Sequence, residues 1–298
     1  MKRILSVISL LLLGSQVHAA LNVFACEPEW AALAQELAGD QAVVYTATGA
    51  LQDPHHIEAR PSLIAKARRA DLVVCTGAEL ETAWLPVVLR ESGNRKVQTG
   101  SDGHFEAAQF VVMLETPARL DRSEGDVHAM GNPHIQTDPR NFLPVADALG
   151  KRLIRLDPGN AALYRQRLAD FERKWRAAIT GWESRAAPLK GVSIVVQHKA
   201  FPYLEAWLGL KQVAALEPKP GMEPSVTHLS QVLATLQQRP ARMVLHAAYQ
   251  SRKPSQWIAE RAHIAAVELP FSVGGSDKAQ DLYGLFDDTI ERLLNGLR

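Results

Sequence analysis

Short apolar segments alternate with helix-like segments along most of the chain after residue 20. In the first half, helix-like stretches over 29–37 and from Pro61 onward stand between apolar runs rich in β-branched residues. The strand candidates of this half are 21–25, 42–45, 72–75, 97–99 and 110–114. Short apolar strands separated by helices are typical of a parallel sheet with helices on its faces. The polar segment 119–130 that follows is predicted to be a surface loop.

Two long helical stretches occupy the middle of the chain, at 141–156 and 161–182. In the second, the apolar residues are spaced for one helix face: Leu163, Tyr164, Leu168, Phe171, Trp175 and Ile179. At roughly 1.5 Å per residue it would extend about 30 Å, enough to join two lobes.

Strand and helix signals alternate again after residue 187, with strand candidates at 193–196, 212–216, 242–245 and 266–269. We therefore predict an α/β fold of two lobes, each with a parallel sheet flanked by helices, joined by a long rigid helix. The predicted divisions are an N-terminal lobe at 20–140, linking helices at 141–186 and a C-terminal lobe at 187–298.

The first residues differ in character from the rest. Lys2 and Arg3 precede the apolar run 4–13, and small residues follow before Ala20. This pattern predicts a secretory signal peptide over 1–19 and a mature protein that is exported and soluble. A lipid anchor at Cys26 is the alternative, but Phe24 stands where a small residue is expected.

Composition narrows the classes of function. The chain has 298 residues, 47% of them hydrophobic and 22% charged, with a formal net charge of +1. Such a balance supports a packed core and gives no indication of a nucleic-acid partner. Cys26 and Cys75 each follow or end a strand candidate. In an oxidising compartment they could form a disulfide or remain two buried thiols, and both alternatives stay open.

Three histidines share one kind of local sequence. His55 lies in Asp53-Pro54-His55 after a strand candidate, His134 follows Pro133 just before a helix start, and His198 ends the run 193–197. Ligands of open parallel sheets bind beyond the carboxyl ends of the strands, so these side chains could converge between the lobes. Three neutral imidazoles suit Zn²⁺ and leave one tetrahedral position.

The fourth position has several candidates. Asp277, which follows a glycine pair after the last strand, is the predicted fourth ligand, and His246, Asp281 or a water are the alternatives. Asp53 and Glu58 are interpreted as partners that orient the imidazoles. Among the other histidines, His128 is interpreted as a loop residue with at most a transient hold on metal.

These residues resemble a known family, the periplasmic zinc- and manganese-binding proteins of ABC importers, of the ZnuA type. The similarity extends over essentially the whole chain after the signal peptide. The motifs that carry it are Asp53-Pro54-His55 with Glu58 and Pro61-Ser62, the run 70–74 with Gly77 and Glu79-Leu80-Glu81, Asn132-Pro133-His134 with Asp138-Pro139, and His198 with Ala200-Phe201 and Tyr203-Leu204. The resemblance implies two α/β lobes bridged by a rigid helix and a single divalent metal in the cleft.

The resemblance also implies a role. His55, His134 and His198 match the three histidine ligands of the family, and His198 favours zinc because manganese binders usually hold a carboxylate there. The expected function is capture of Zn²⁺, as transported ligand, and delivery to an ABC permease by a monomer that is not an enzyme. A periplasmic metallochaperone is a further expected partner.

The sequence departs from the family at a few positions. Ile57 and Gln136 stand where aromatic residues are common, and the aspartate motif near the C-terminus is replaced by the segment 270–277. The alternatives are a manganese or iron carrier and, less favoured, a zinc hydrolase with Glu58 or Asp53 as general base.

Overall fold

The computed structural model describes residues 20–117 and 128–298. The predicted signal peptide at 1–19 and most of the predicted surface loop at 119–130 lie outside these residues. No helix in the described part of the chain combines the length and the apolar character needed to cross a bilayer.

The first lobe is built on a four-stranded parallel sheet. Its elements are β1 (Leu21–Ala25), α1 (Pro28–Ala38), β2 (Ala42–Thr46), α2 (Pro61–Arg69), β3 (Leu72–Cys75), α3 (Leu85–Ser92) and β4 (His104–Glu106). The strand order is β2-β1-β3-β4, and Val23 of β1 is in register with Val44 and with Leu72. Strand β1 therefore has β2 on one side and β3 and β4 on the other. The loops after β1, β2 and β3 all leave the sheet at its carboxyl-terminal edge.

The middle of the chain forms two helices, α4 (Phe142–Leu156) and α5 (Ala161–Ala186). Helix α5 has 26 residues, and Tyr164, Phe171, Trp175 and Ile179 of the predicted apolar face are buried in it together with Trp182. Leu163 and Leu168 of that face are partly buried. Trp175 is fully buried and donates from Nε1 to the carbonyl oxygen of Pro139 at 2.7 Å.

The second lobe repeats the arrangement of the first. Its elements are β5 (Ser193–Val196), α6 (Pro202–Leu208), β6 (Lys211–Ala215), α7 (Val226–Gln238), β7 (Met243–Ala247), α8 (Lys253–Ala262), β8 (Ala265–Leu269) and α9 (Leu282–Asn295). The strand order β6-β5-β7-β8 is the same as in the first sheet, and all pairs are parallel. The predicted fold, two parallel α/β lobes joined by a long helix, is confirmed, whereas the boundaries at 140 and 186 stay predictions.

One apolar core joins the two lobes. It includes Leu21 and Val23 of the first sheet, Trp175 of α5, and Val196 and Leu245 of the second sheet. Each lobe also has one smaller apolar cluster in its outer layer, around Trp84 in the first lobe and around Val232 in the second. The long helix is therefore packed between the lobes, and it is not an isolated rod.

Two strand predictions are wrong. Residues 97–99 do not form a strand, because Arg95–Val97 is a 3₁₀ turn in which the Asn94 side chain accepts from the Lys96 amide at 3.0 Å. Residues 110–114 are not a strand either, because Phe110 ends a second 3₁₀ turn, Ala107–Phe110, and residues 111–114 have no regular structure. The fourth strand is β4, which pairs with β3. It is only three residues long, so it carries too little alternation to be recognised.

Cys26 and Cys75 form a disulfide. They lie at the ends of neighbouring strands β1 and β3, with their Cα atoms 4.8 Å apart. Of the two open alternatives, the structure has the bonded one.

Candidate metal centre

His55 is held by its own loop between β2 and α2. The Asp53 carboxylate accepts from the His55 amide at 3.0 Å and from His55 Nδ1 at 2.8 Å. The carbonyl oxygen of Pro54 accepts from the indole of buried Trp84 at 3.0 Å. These contacts fix both the backbone and the ring, so that His55 is only 8% exposed.

His134 lies at the start of a short helical turn before α4. The Asn132 side-chain oxygen accepts from the His134 amide at 3.1 Å, and Thr137 donates its hydroxyl to the His134 carbonyl at 2.9 Å. Asn132 also donates from Nδ2 to the carbonyl oxygen of Lys199 at 2.7 Å. The segment that carries His134 is therefore bonded directly to the residue that follows His198.

His198 follows β5, which lies between β6 and β7 in the second sheet. Its Nδ1 lies 2.7 Å from the carboxylate of Glu217, which also accepts from the Gly221 amide at 2.9 Å. Both side chains are largely shielded, at 9% and 14% exposed. Glu217 therefore positions the His198 ring and also folds the loop between β6 and α7.

The three histidines converge. One nitrogen from each of His55, His134 and His198 lies within 4.8 Å of the other two, and all three residues are buried. The ring centroids of His55 and His134 are 5.2 Å apart, and that of His198 lies 5.9 Å from His55 and 5.5 Å from His134. His55 and His134 come from the first half of the chain and His198 from the second, so the group lies between the lobes.

The hydrogen bonds of His55 and His198 use Nδ1 and leave Nε2 of each ring available to a metal. His55 and His198 direct Nδ1 at a carboxylate, which favours the tautomer with a lone pair on Nε2. In the described residues, His55 Nε2 and His134 Nδ1 are buried without a hydrogen-bond partner. Buried polar atoms usually have a partner, so two orphaned nitrogens in one group are what a cation site requires.

Burial and neighbouring charges favour a neutral His134 imidazole and an ionised Asp53 carboxylate. Burial lowers the pKa of His134 well below its ordinary value, and the nearby His55, His198 and His128 lower it further. Burial raises the pKa of Asp53, but its hydrogen bonds and charge interaction with His55 outweigh that and hold the pKa well below the usual range. A neutral imidazole next to an ionised carboxylate is the arrangement that binds divalent zinc.

Two clefts reach the group from outside. One, of about 200 Å³, is lined by His134, His198, His128, Asn132 and Lys199 among others. The other, of about 230 Å³, is lined by His55, His198, Asp53, Glu217 and Tyr249 among others. The two clefts therefore border the histidine group on two sides, and His198 lines both.

The predicted fourth ligand is not brought into the group. Asp277 is exposed, and its loop folds back on α9, where Ser276 donates to Asp288 at 2.5 Å and Gly274 donates to the Ala279 carbonyl at 2.6 Å. The glycines thus close the loop on itself and do not carry Asp277 toward the histidines.

The alternatives for the fourth position are also placed elsewhere. Asp281 accepts from the Gly284 amide at 2.7 Å as the cap of α9. His246 is buried in β7, and its Nε2 stands 3.6 Å from the Glu268 carboxylate. Neither belongs to the group formed by His55, His134 and His198.

Sequence reasoning identified some of the supporting residues and missed others. Asp53 makes the predicted contact with His55, whereas Glu58 is exposed. Glu217 was missed because nothing in its local sequence points to His198. His128, interpreted from the sequence as a loop residue, has its ring centroid 5.4 Å from that of His55.

Cys26, Cys75 and Glu81 form a second buried group with metal-ligand spacing. The two sulfur atoms are joined in the disulfide and therefore are not thiolate ligands.

The fold is shared with solved metal-binding proteins. A structure titled "Crystal structure of ZnuA" aligns with a TM-score of 0.78 at 22% identity and covers 94% of this chain and 100% of its own. A cadmium-bound periplasmic metal binding protein from Candidatus Liberibacter asiaticus aligns with a TM-score of 0.76 at 18% identity and covers 93% of this chain and 99% of its own.

Sequence relatives carry names of the same kind. The zinc-binding lipoprotein AdcA of Streptococcus pneumoniae serotype 4 is 28% identical over 202 residues, which is 66% of this chain and 39% of AdcA. The high-affinity zinc uptake system protein ZnuA of Bacillus subtilis is 24% identical over 252 residues, or 83% of this chain and 76% of that protein. The iron-binding protein YfeA of Yersinia pestis is 28% identical over 186 residues, or 61% of this chain and 54% of YfeA. This chain thus spans well under half of AdcA.

A family model covers nearly the whole described chain. It is described as the zinc-uptake complex component A, periplasmic, and it matches residues 23–296, a range that contains all three converging histidines. The chain therefore belongs to the ZnuA family of zinc-uptake components.

Proposed function

We propose that this protein captures Zn²⁺ in the cleft between its lobes and delivers it to an ABC-type membrane permease, without chemical change to the ion. The observation that carries the proposal is the convergence of buried His55, His134 and His198, with an unpartnered nitrogen on both His55 and His134. His55, His134 and His198 are the proposed protein ligands.

Zinc is the proposed cargo because the donor set consists of neutral imidazoles. Hard carboxylate ligands suit Mn²⁺, whereas imidazole suits Zn²⁺. The carboxylates of Asp53 and Glu217 bind the far side of the rings. Relatives named for manganese and for iron make a manganese or iron carrier the second candidate.

The fourth coordination position is proposed to hold water or another exchangeable ligand that enters through one of the clefts. Asp277, the ligand predicted from the sequence, is exposed and stays an alternative that mutation can test. An exchangeable fourth ligand suits a carrier, because the ion must leave the site again.

The setting of this function is proposed as well. A signal peptide at 1–19 would deliver a soluble monomer to the periplasm. A metallochaperone there could load zinc onto this protein, and a permease in the inner membrane would accept the ion from it. The lobe boundaries at 140 and 186 belong to the same proposal.

Calorimetric titration of the metal-free protein with Zn²⁺ tests the proposal. We expect one tight site at neutral pH, and a loss of affinity of at least about 100-fold in His55→Ala, His134→Ala and His198→Ala, since each removes one of three ligands. His263→Asn is the matched control. His263 is exposed at a left-handed backbone position, with φ of 52°, that asparagine tolerates.

Competition between metals separates the candidates. Zn²⁺ should displace Mn²⁺ and Fe²⁺ from the protein, and Asp277→Ala should bind zinc as the unaltered protein does. Absence of a one-to-one zinc site, or three alanine variants that bind like the control, would refute the proposal. Tighter binding of Mn²⁺ or Fe²⁺ than of Zn²⁺ would instead support the second candidate function, a manganese or iron carrier.

A further inference from the structure

The segment after β8 contains a strained turn. Ser272 donates its amide to the Pro270 carbonyl at 2.7 Å, and Phe271 between them has φ of 66°. This is a three-residue turn in the form with positive φ, which is rare for residues with a side chain. Such a conformation persists only where surrounding contacts hold it, and it often marks a functional position.

A hydrogen bond from the other lobe holds the turn in place. Ser272 donates its hydroxyl to Glu29 Oε2 at 2.5 Å, across 243 positions of sequence. Glu29 lies in the first turn of α1, and Glu29 and Ser272 are 1% and 6% exposed. The contact therefore joins the first lobe to the loop that ends the second sheet.

The turn directs the Phe271 ring at the metal centre. The ring packs edge-on against His134, with centroids 5.4 Å apart, and is itself enclosed by Tyr249 at 5.3 Å and Phe201 at 5.9 Å. Phe271 lies at the strand end from which a fourth ligand was expected. An apolar ring stands there in place of a carboxylate.

His134 has a particular need for such a contact. His55 and His198 are oriented by the carboxylates of Asp53 and Glu217, whereas no carboxylate of the described residues is hydrogen-bonded to either ring nitrogen of His134. Ligand histidines normally have an outer partner that fixes the ring, and its loss weakens metal binding. For His134, packing against Phe271 is the contact that can supply this orientation.

We propose that Glu29, Ser272 and Phe271 act as positioning residues that fix the His134 ring for metal binding. This inference rests on the proposed function. Here we call the three residues the interlobe strap. It makes the retention of zinc depend on a contact between the lobes, and it closes the side of His134 that faces Phe271 to a further ligand.

Zinc release kinetics test the interlobe strap. Ser272→Ala removes the hydroxyl that holds the turn, so the dissociation rate of Zn²⁺ into a chelator should rise about 10-fold or more. Ser272→Thr keeps the hydroxyl and should restore the slow rate. Phe271→Gly relieves the positive φ but removes the buried ring, so it should release zinc faster although the strain of the turn is gone.

Ser276→Ala is the matched control. Ser276 lies in the same loop and donates a hydroxyl bond of the same length, 2.5 Å, to Asp288 on the far side. It should lower the thermal stability about as much as Ser272→Ala while leaving zinc release unchanged. The absorption spectrum of bound Co²⁺, which reports ligand geometry, should change in Ser272→Ala and Phe271→Gly only.

The outcomes are distinguishable. Unaltered zinc release and Co²⁺ spectra in Ser272→Ala and Phe271→Gly, with one-to-one binding in the unaltered protein, would overturn the strap and leave the proposed function intact. Equal acceleration in Ser276→Ala would also overturn it, because the effect would then be general loosening. An unaltered protein that binds no zinc would remove both proposals.

Discussion

Individual carboxylates next to the histidines should control zinc affinity although they are not ligands. Glu217→Ala leaves Nδ1 of His198 without the partner that now lies 2.7 Å away, and we expect zinc affinity to fall about 10- to 100-fold. Glu217→Gln keeps an acceptor oxygen and should lose less. Calorimetric titration measures the zinc affinity of both variants.

Glu223→Ala, in the same loop and on the same cleft, is the control. A similar loss there would contradict a specific role for Glu217.

Glu29 should make the stability of the metal-free protein depend on pH. Burial raises the pKa of Glu29 from 4.5 to about 7, although its hydrogen bond from Ser272 opposes this. The folded state therefore binds a proton more tightly than the unfolded state. The stabilisation is complete below pH 4.5 and is lost as pH rises toward 7, an effect of about 1–3 kcal/mol.

Denaturant unfolding from pH 5 to 8 measures this effect in Glu29→Gln against the unaltered protein. Burial also raises the pKa values of Glu27 and Glu81, and the charge of Glu29 raises that of Glu27 further. The difference between the two proteins therefore reports Glu29 together with its interaction with Glu27. The glutamine variant should gain stability relative to the unaltered protein as pH rises. Glu260→Gln, at an exposed glutamate, should show no such gain. A pH-independent difference for Glu29→Gln would contradict the raised pKa.

The sequence could predict ligands that have a local signature and not those defined by tertiary contact. His55, His134 and His198 each follow a strand candidate or a proline-marked helix start, which a single sequence displays. Glu217 is 19 positions from His198 and meets it only because β6 lies next to β5. Asp277 was favoured for its flexible glycines, but the direction of that loop depends on its bonds to α9.

At the scale of elements, the disulfide fastens two neighbouring strands of the first sheet. It encloses a separation of 49 positions, and closing a loop of this size in the unfolded chain should contribute about 2–4 kcal/mol. A double variant, Cys26→Ala with Cys75→Ala, should unfold at lower denaturant while binding zinc one-to-one. Denaturant unfolding and zinc titration are the measurements. The unaltered protein under reducing conditions is the control and should lose the same stability. Loss of zinc binding in both would contradict a purely structural role.

Elements with a long, periodic pattern were predicted well, and short ones were not. Helix α5 carries a continuous apolar face and was recognised along most of its length. Residues 97–99 were predicted to be a strand, yet the backbone of the fully buried Val97 belongs to a turn fixed by the Asn94 side chain. Side-chain capping of this kind competes with strand pairing and leaves little trace in apolar periodicity.

At the scale of the whole molecule, the two lobes share one core. The sheets have the same strand order, and α4 and α5 pack between them with α1 and α9. Trp175 is central to this contact, with Phe142 at 5.4 Å on the first-lobe side and Phe286 at 5.6 Å on the second. A metal site made from both lobes is stable only if their relative position is fixed, and this core fixes it.

The shared core predicts that the lobes unfold together. Trp175→Ala should cost about 3–5 kcal/mol, because a fully buried aromatic ring is lost from a packed interior. Hydrogen exchange should then show equal loss of protection in β1 and in β5, with one calorimetric transition.

Ile258→Ala sharpens this test, because Ile258 is fully buried and belongs to the outer cluster of the second lobe alone. If the lobes are one cooperative unit, this distant change must also lower the protection of β1, and zinc must raise the single transition temperature through its affinity for the folded state. Protection of β1 that stays unchanged in Ile258→Ala, or a second transition, would mean that the lobes unfold separately. Unfolding of one lobe alone would then be sufficient to dismantle the histidine group.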